Sequence, residues 1–446
     1  MTRAPTQELA GWGRYPRRAG PVSAIRSEDD LRAVVGAGRV VARGNGRAYG
    51  DAAMGVALTA DMRRMNRMLG FDPDTGQLVA EAGVLLGDVI AAFLPRGWFP
   101  QVTPGTKFVT LGGAIAADVH GKNHHRDGSF GACVDWVEVM DAEGTVTRAS
   151  RKDAPDLFAW TVGGMGLTGV IVRAAIRLRP VESGWIVQRT VPAANLCAAM
   201  AAFDAEHAAT YSVAWIDCLA SGAALGRSLL MLGEHAAAGE VPPAFRDRPF
   251  ETPARGRRRV PFDAPAAALN RFSVGAFNAL YWAKGRRGAG RSVVDWDGFF
   301  YPLDAVLEWN RIYGRRGFLQ FQCVLPPDGA EAGLRALLEA TSRAGQGSFL
   351  AVLKRFGAQE SRFSFPQDGF TLALDFPANA AVLALLDRLD AIVLDHGGRF
   401  YLAKDARMAA STLHRADPRA AAVRRMRAEG GLSEAFASAQ SERLML

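Results

Sequence analysis

The sequence lacks the marks of a disulfide-stabilised, secreted or membrane-spanning protein. Its four cysteines are scattered, with neither a C-x-x-C pair nor the spacing of a metal site, which is typical of reduced thiols and predicts no metal centre. The first residues contain no apolar segment like that of a signal peptide, and no later run reaches the length of a membrane span. We therefore expect a cytoplasmic protein that is neither exported by a visible signal nor integral to a bilayer.

Acidic residues are scarce in residues 243–291, which we call the basic segment. It holds eleven Lys or Arg residues and three acids, and so accounts for the whole formal net charge of +8. A diffuse nucleic-acid-binding surface would not concentrate its charge in this way, so we expect no nucleic-acid partner. The segment is also rich in proline and aromatic residues and has little periodicity. These features predict a flexible loop that attracts anions.

The rest of the chain mixes strand and helix patterns. At 446 residues it is too long for one ordinary core, so two domains are expected. Hydrophobic residues make up 49% and charged residues 22%, as in globular proteins. Strands are predicted at 134–140, 170–178 and 318–322, and helices at 330–344 and 380–396. This mixture predicts an α+β protein.

Residues 43–51 form a glycine-rich loop after a predicted strand at 39–42. The run reads Arg-Gly-Asn-Gly-Arg-Ala-Tyr-Gly-Asp, which combines three glycines with two guanidinium groups and an amide. Successive backbone N–H groups in such a loop can hold a pyrophosphate. An ordinary glycine-rich turn is the alternative if this loop is considered alone.

Residues 104–125 are the most informative part of the sequence. Glycines at 105, 112, 113 and 121 permit a close backbone approach to a ligand, and the small residues at 114–117 leave room for a flat ring system. Three histidines and a lysine then fall within 120–125. We interpret the run as a cofactor cradle, with a solvated polar loop after a buried segment as the alternative.

A G-x-G-x-x-G run at 164–169 lacks the context of a dinucleotide fold. A Rossmann fingerprint requires a strand before it, a helix after it and an acid about 20 residues further on. Here a strand pattern follows at 170–178, and the loop at 44–50 is likewise not followed by an apolar helix. The sequence therefore excludes a Rossmann-type NAD site.

Together these motifs resemble the vanillyl-alcohol-oxidase-type FAD enzymes, whose cofactor domain is of the PCMH type. Further matching runs lie at 163–169, 308–311, 318–322 and 401–405, and the C-terminal part is similar to an aldonolactone-oxidase module. The Asp-Val-His-Gly-Lys-Asn-His-His run at 118–125 is highly specific, whereas the glycine loops alone are not. The resemblance spans residues 11–446 and is weakest at 220–295.

The resemblance implies a fold and a division of the chain. We expect a PCMH-type FAD-binding domain at 1–184 and an α+β substrate domain with an antiparallel sheet at 185–398. The basic segment would be a flexible loop of this substrate domain. Residues 399–446 are expected to return to the FAD domain.

The resemblance also implies a set of FAD contacts. Pyrophosphate is expected on 43–50, and the flavin along 104–113. Some relatives attach FAD covalently through a histidine in the first glycine loop. This loop has Arg47 and Tyr49 instead, so non-covalent FAD is expected. The expected FAD-binding residues are Arg43, Gly44, Asn45, Gly46, Arg47, Ala48, Tyr49, Gly50, Pro104, Gly105, Thr106, Thr110, Gly112, Gly113, Ala116, Gly121, Asn123, His124, Gly169, Ile171, Tyr401 and Lys404.

Oxidation of a sugar carbinol requires removal of a hydride and of the hydroxyl proton. By resemblance, Lys404 is expected to contact the flavin edge and the reacting hydroxyl. The full set of expected catalytic residues is Lys404, His120, Lys122, Tyr49 and Gln322. The expected substrate-binding residues are Lys354, Arg311, Gln320 and Trp215, although packing is favoured over chemistry for Trp215 and Phe356. Thr371 and Ala373 stand where relatives commonly carry Asn and Cys, which leaves the exact sugar open.

Two functions remain open at this point. The first is FAD-dependent oxidation of the 2′-hydroxyl of a polyprenyl-phosphate-linked ribose, as the first half of an epimerisation. The resemblance implies an NAD(P)H-dependent short-chain reductase partner and quinone or oxygen as electron acceptor. The local charge and aromatic residues of the basic segment predict a mobile lid in peripheral contact with a membrane, with a disordered basic insertion that has no partner as the alternative. The second is an aldonolactone oxidase or another FAD-dependent sugar oxidase. The basic segment with its interleaved aromatic residues favours the lipid-linked substrate.

Overall fold

Three larger β-sheets organise the chain in the computed structural model, which describes residues 4–256, 258–265, 268–348 and 350–446. The first sheet pairs β1 with β2 antiparallel and then runs parallel through β4 to β3. Its strands are β1 (Thr6–Ala10), β2 (Arg17–Ala24), β3 (Val40–Arg43) and β4 (Leu58–Asp61). The second sheet is antiparallel throughout. It contains β5 (Met68–Asp72), β6 (Gln77–Glu81), β7 (Trp98–Pro100), β8 (Val134–Met140), β9 (Val146–Ser150) and β10 (Val170–Pro180).

The third sheet has eight antiparallel strands in the order β15-β11-β13-β12-β18-β19-β17-β20. They are β11 (Trp185–Ala193), β12 (Tyr211–Ile216), β13 (Ser228–His235), β15 (Gly290–Asp295), β17 (Phe318–Leu325), β18 (Ala351–Phe356), β19 (Gly369–Pro377) and β20 (Arg399–Phe400). Two short strands, β14 (Arg258–Arg259) and β16 (Val306–Leu307), pair separately. The expected α+β class with an antiparallel substrate sheet is confirmed.

Helices flank the sheets. They are α1 (Glu28–Val35), α2 (Leu86–Phe93), α3 (Leu111–Ala116), α4 (His124–Asp127), α5 (Pro155–Thr161), α6 (Leu196–Ala205), α7 (Arg271–Arg287), α8 (Trp296–Phe300), α9 (Pro327–Ala344), α10 (Ala380–Asp395), α11 (Ala410–Ala416), α12 (Arg419–Glu429), α13 (Leu432–Ala435) and α14 (Ala439–Arg443). Among the described residues, none of these helices is both long and apolar enough to cross a bilayer.

The eight-stranded sheet has one packed face and one polar or cavity-lining face. Side chains alternate along a strand, so Leu319, Phe321 and Cys323 of β17 join the core under α9 and α10. The intervening Gln320 and Gln322 lie on the opposite face and line a cavity. The same alternation recurs in β12, β13, β18 and β19. This sheet therefore provides one wall of the site.

The strand that follows residues 163–169 is as predicted. Gly163, Gly166 and Gly169 have positive φ values of 77°, 75° and 143°, and the chain then enters β10 instead of a helix. The left-handed backbone at these three positions accounts for glycine there. The exclusion of a Rossmann fingerprint is confirmed.

The basic segment contains regular structure, so the expectation of a loop is wrong for part of it. Helix α7 occupies 17 of its residues, and Asn270 caps the helix by accepting from the N–H groups of Phe272 and Ser273. Asn278 anchors the helix by donating to Asp217 at 2.7 Å. The hydrophobic periodicity of the sequence did not indicate α7, because much of the apolar surface of this helix is exposed. Arg257 and residues 266–267 lie outside the described part of the segment.

The C-terminal residues return to the first sheet. Phe436 forms a backbone bridge with Val40, and Arg443 pairs with Asp51 at 2.7 Å and with Asp405 at 2.8 Å. Arg399 and Phe400 themselves form β20 at the edge of the eight-stranded sheet. The C-terminal segment thus touches both the first glycine loop and the eight-stranded sheet.

Candidate active site

A cavity of about 600 Å³ is lined by both glycine-rich regions and by the eight-stranded sheet. Its volume falls within the range of small-molecule sites. It collects most of the residues expected from the sequence. These are Gly44, Asn45, Gly46, Arg47, Ala48, Tyr49, Pro104, Gly105, Thr106, Thr110, Gly112, Gly113, Ala116, His120, Gly121, Lys122, Gly169, Ile171, Trp215, Gln320, Gln322, Lys354, Tyr401 and Lys404.

Five expected residues lie away from the cavity wall that the described residues form. Arg43 donates to the backbone carbonyls of Ala10 and Ala53 at 2.7 and 3.1 Å. It therefore stabilises the first glycine loop instead of contacting a pyrophosphate. Gly50 packs against the backbone, because a Cβ there would lie 2.1 Å from the carbonyl oxygen of Asp405. The contacts of Arg43 with Ala10 and of Gly50 with Asp405 join segments that are far apart in the sequence, so no local pattern predicts them.

Asn123 and His124 brace the segment behind the cavity. Asn123 donates to the carbonyl of Gln101 at 2.8 Å, and His124 Nε2 lies 2.9 Å from Gln359 Oε1. Arg311 pairs with Glu308 at 2.9 Å and donates to the backbone carbonyls of Val260 and Pro261 in the basic segment. These placements correct their assignment as direct FAD or substrate contacts.

The first glycine loop presents one guanidinium group to the cavity. Arg47 lies over the Trp12 ring at 4.1 Å from the centroid and over Phe108 at 5.1 Å. Its Nε is buried and has no hydrogen-bond partner among the described residues. Burial lowers the pKa of Arg47, but arginine remains charged in any case. A stacked cation with an unused donor is suited to a bound phosphate.

The second glycine region meets the first at close range. A Cβ on Gly44 would lie 2.1 Å from Thr110 Oγ1, and Thr110 caps α3 by accepting from Gly113 N–H at 3.3 Å. Asn45 ties the two regions together by donating to the carbonyl of Phe108 at 2.8 Å. By contrast, a Cβ on Gly105 would meet no atom within 4 Å. The backbone at Gly105 therefore faces open cavity, which leaves room for the edge of a flat cofactor.

The residues present fit FAD. Arg47 and the backbone of the first loop would hold the pyrophosphate, and the glycines of 104–113 would lie along the ring system. His120, Lys122 and Lys404 line the same cavity.

Lys404 occupies an enclosed position against an aromatic ring. Its Nζ lies 3.8 Å from the Tyr49 ring centroid. Burial lowers the pKa of Lys404 from its ordinary 10.5, although the Asp375 carboxylate opposes that change. Burial and Asp375 raise the pKa of Tyr49 well above 10, so its hydroxyl stays protonated. Lys404 can therefore exchange a proton near neutral pH, whereas Tyr49 cannot.

Asp375 is a residue that sequence motifs did not identify. It is fully buried, accepts from Gln320 Nε2 at 2.5 Å, and leaves Oδ2 without a partner among the described residues. Burial raises the pKa of its carboxyl group. Strand alternation is the signal that could have found it, because Thr371, Ala373 and Asp375 share one face of β19. Asp375 supplies a negative charge close to Lys404.

His120 is held as a neutral imidazole. Gln322 Nε2 donates to His120 Nε2 at 3.0 Å and also contacts Thr371 Oγ1 at 3.2 Å. This hydrogen-bond pattern assigns the proton to Nδ1, which has no partner within the described chain. Burial and the charge of Lys354 lower the pKa of His120 well below 6.5. His120 is therefore a hydrogen-bond donor at Nδ1 and a poor proton acceptor.

Two further lysines add positive charge to the cavity. Burial lowers the pKa of Lys122 to about 7, with a further contribution from Lys354. Lys122 donates to the carbonyl of Phe299 and lies 4.1 Å from that ring centroid. Burial lowers the pKa of Lys354 to about 8. Buried cations are costly unless paired, so the cavity favours an anionic ligand.

Comparison with known proteins agrees with this chemistry. Residues 21–150 match the family of FAD binding domains. Decaprenylphosphoryl-β-D-ribose oxidase of Mycolicibacterium smegmatis is 38% identical over 99% of this chain and 98% of that protein. An uncharacterised protein of Streptomyces coelicolor is 36% identical over 79% of this chain and 97% of its own length. L-gulonolactone oxidase of Mus musculus is 28% identical over 31% of each chain.

The fold, the glycine-lined cavity and the domain match define an FAD-dependent oxidoreductase with a PCMH-type cofactor domain. The expected cofactor, FAD, is thereby confirmed. Because the Mycolicibacterium relative matches nearly end to end, the chain belongs to the decaprenylphosphoryl-β-D-ribose oxidase family.

Proposed function

We propose that this protein oxidises the 2′-hydroxyl of a polyprenyl-phosphate-linked ribose to a ketone. The full-length similarity to decaprenylphosphoryl-β-D-ribose oxidase of Mycolicibacterium smegmatis carries the proposal. The cavity supports it, since Lys122 and Lys354 bring positive charge to a wall that also contains glycine-rich cofactor loops. A phosphate-bearing sugar would compensate this positive charge, whereas a neutral lactone would not.

The reaction divides between cofactor and protein. FAD, when bound, accepts the hydride from the carbinol carbon. The neutral amine of Lys404 accepts the hydroxyl proton, because burial lowers its pKa. His120 donates a hydrogen bond from Nδ1 to a substrate oxygen, and Gln322 orients the imidazole. Lys122 adds positive charge, and the Tyr49 ring, 3.8 Å from Lys404 Nζ, stabilises the ammonium that forms when the amine accepts the proton.

The assignment is tested by anaerobic bleaching of the flavin absorbance with a substrate panel. Polyprenyl-phosphate-linked ribose is expected to bleach the flavin rapidly, and the corresponding arabinose more slowly. Free aldonolactones serve as the competing panel. Faster bleaching by a lactone than by every lipid-linked pentose would reject the proposal in favour of an aldonolactone oxidase.

The proposed ketone implies two further partners. Epimerisation requires a hydride to return to the opposite face of the 2′ carbon, which is the chemistry of an NAD(P)H-dependent short-chain reductase. The electrons removed from the sugar must then pass from the cofactor to an acceptor, for which we propose quinone or oxygen.

We expect FAD to be bound without a covalent link. The first glycine loop contains no histidine, and its only side chains at the cavity are those of Asn45, Arg47, Ala48 and Tyr49 within the described chain. Acid or heat precipitation should therefore release the yellow colour into the supernatant. Flavin absorbance or fluorescence remaining on the washed, denatured pellet would contradict this prediction.

We also propose cytoplasmic localisation with peripheral membrane contact through the basic segment. Phe272 and Leu280 of α7 are 79% and 72% exposed, and Arg286 and Arg287 are exposed at the end of the same helix. Apolar side chains beside cations are typical of helices that lie at a membrane interface. Each such cation contributes about 1 kcal/mol near an anionic leaflet.

Co-sedimentation with vesicles tests this contact. Binding to vesicles with anionic lipid is expected at low salt and should weaken as salt rises. Phe272→Ser with Leu280→Ser, or Arg286→Ser with Arg287→Ser, should reduce it severalfold. Leu69→Ser, at another exposed apolar position, is the matched control. Substitution of the three arginines at 257–259 is a less specific test, because Arg259 pairs with Glu308 and Arg257 lies outside the described residues. Failure of the wild type to bind anionic vesicles at low salt would reject the contact.

Finally, we propose that 1–184 and 399–446 together form the FAD domain around a substrate domain at 185–398. The Arg443–Asp51 pair and the Phe436–Val40 bridge support the return of the C-terminal segment. Arg399 and Phe400, the first residues of this segment, pair with β17, so the C-terminal segment begins at the edge of the eight-stranded sheet.

A further inference from the structure

The cavity face of the eight-stranded sheet changes from polar to apolar at Lys354. On one side, β17 and β19 contribute Gln320, Gln322 and Thr371. On the other side, β12 and β13 contribute Val213, Trp215 and Met231, which we call the apolar half. Within β18, Lys354 lies opposite Thr371, and Val352, two residues earlier, lies opposite Trp215. The strand register therefore places one cation at the boundary.

Helix α7 covers the apolar half. Tyr281 packs on Trp215 with ring centroids 4.8 Å apart. Gly285 permits the close approach, because a Cβ there would lie 2.1 Å from Leu229 Cδ1 of β13. Phe277, one turn earlier, stacks on Tyr281 at 5.8 Å. The exposed fraction rises from 6% for Trp215 to 37% for Tyr281 and 43% for Phe277. A continuous set of packed aromatic rings thus extends from the cavity to the surface of α7.

Lys354 has a charge that the protein leaves uncompensated. Among the described residues its ammonium group makes no ion pair, and burial alone is responsible for its lowered pKa of about 8. At neutral pH it is therefore still mostly protonated. Its charge also disfavours protonation of His120, Lys122 and Lys404. An anionic group bound at Lys354 would relieve that repulsion.

We propose that the cavity binds a prenyl phosphate in two parts, with the phosphate on Lys354 and the first isoprene units between α7 and the apolar half. The proposal rests on the proposed function, since it takes the substrate to be a prenyl-phosphate-linked sugar. It adds an orientation. The sugar extends from the phosphate towards Gln322 and Lys404, and the lipid leaves past Tyr281 and Phe277 towards the exposed side of α7.

Calorimetric titration of the FAD-loaded full chain tests this orientation without turnover. The probes are farnesyl phosphate below its micellar concentration, farnesol and inorganic phosphate. In the wild type, farnesyl phosphate should bind more tightly than either fragment. Lys354→Met should weaken farnesyl phosphate and inorganic phosphate roughly tenfold or more, because a charge-assisted contact is lost. It should leave farnesol unchanged.

Met231→Asn should have the complementary effect. It should weaken farnesyl phosphate and farnesol about tenfold, because apolar contact is lost, and should leave inorganic phosphate unchanged. Tyr281→Ser, on a partly exposed helix, is the second variant if Met231→Asn folds poorly. Leu69→Ser, at an exposed position outside the cavity, is the control that should bind all probes like the wild type.

Two results would overturn the proposal. One is farnesyl phosphate binding that is unchanged in Lys354→Met. The other is farnesol binding that is unchanged in both Met231→Asn and Tyr281→Ser. The proposed function fails separately, when no polyprenyl-phosphate-linked pentose bleaches the flavin although the probes bind as described.

Discussion

Replacing Lys404 by methionine should leave a folded protein in which the substrate bleaches the flavin about 10²–10⁴-fold more slowly, the usual contribution of a general acid or base. The reason is local. The Lys404 Nζ lies 3.8 Å from the Tyr49 ring centroid, and burial lowers its pKa so that the neutral amine can accept the hydroxyl proton. Methionine keeps a similar length and apolar stem but has no amine. Single-turnover stopped-flow absorbance is the measurement.

The comparison requires that cofactor binding be measured separately. Lys404 also lines the cavity that would hold FAD, so the variant's FAD-to-protein absorbance ratio must be compared with that of the wild type. Lys152→Met, at an exposed lysine outside the cavity, should bleach like the wild type. A loss of less than about tenfold at full FAD occupancy would remove Lys404 from the proton transfer.

Replacing His120 by alanine should slow flavin bleaching by about 10²-fold or more without moving the inflections of the pH–rate profile. Burial and the Lys354 charge lower the pKa of His120 well below 6.5, so the imidazole of the wild type is neutral through the neutral and alkaline pH range. Its contribution is then a hydrogen bond from Nδ1, which does not change across that range. The inflection near neutral pH belongs to the lysines, and bleaching should fall as pH decreases because the accepting amine becomes protonated.

The His120 prediction can be checked with a control variant and with a measurement of thermal unfolding. His207 is an exposed histidine, so His207→Ala should behave like the wild type. Because His120 packs against Phe356 and Tyr401 with ring centroids 4.7 and 5.5 Å away, thermal unfolding should be measured alongside the rate. Disappearance of an acid-side inflection in His120→Ala would show that the imidazole itself titrates, and would contradict the neutral assignment.

The roles within the 118–125 run could not all be read from residue type. The run contains three histidines and a lysine, but only His120 and Lys122 of these line the cavity. His124 instead contacts Gln359, and His125 Nε2 contacts the carbonyl of Ala209 at 2.8 Å. Their partners lie 84 or more positions away along the chain. Such pairing depends on how distant segments fold together.

Helix α7 shows a similar limit for secondary structure. Its sequence carries two glycines and an apolar pattern that does not face one side, so periodicity favoured a loop. The helix is nevertheless capped by Asn270 and anchored by the Asn278–Asp217 hydrogen bond. Gly285, unfavourable for a helix by propensity, is the residue that allows close contact with Leu229. Tertiary packing overrode local preference.

The sequence by itself determined the class of protein. The glycine loops and the 118–125 run predicted a cofactor cradle, and the strand after residues 163–169 excluded a Rossmann-type site, because glycine backbone freedom and element order are local properties. The resemblance of these motifs to a known family implied that the cofactor is FAD. Only the tertiary structure decided which polar residues meet. The register of β17 with β19 brings Gln320 to Asp375, and the register of β18 places Lys354 between polar and apolar walls. Strand register is set by non-local hydrogen bonding and by burial of one sheet face, and no short motif records it.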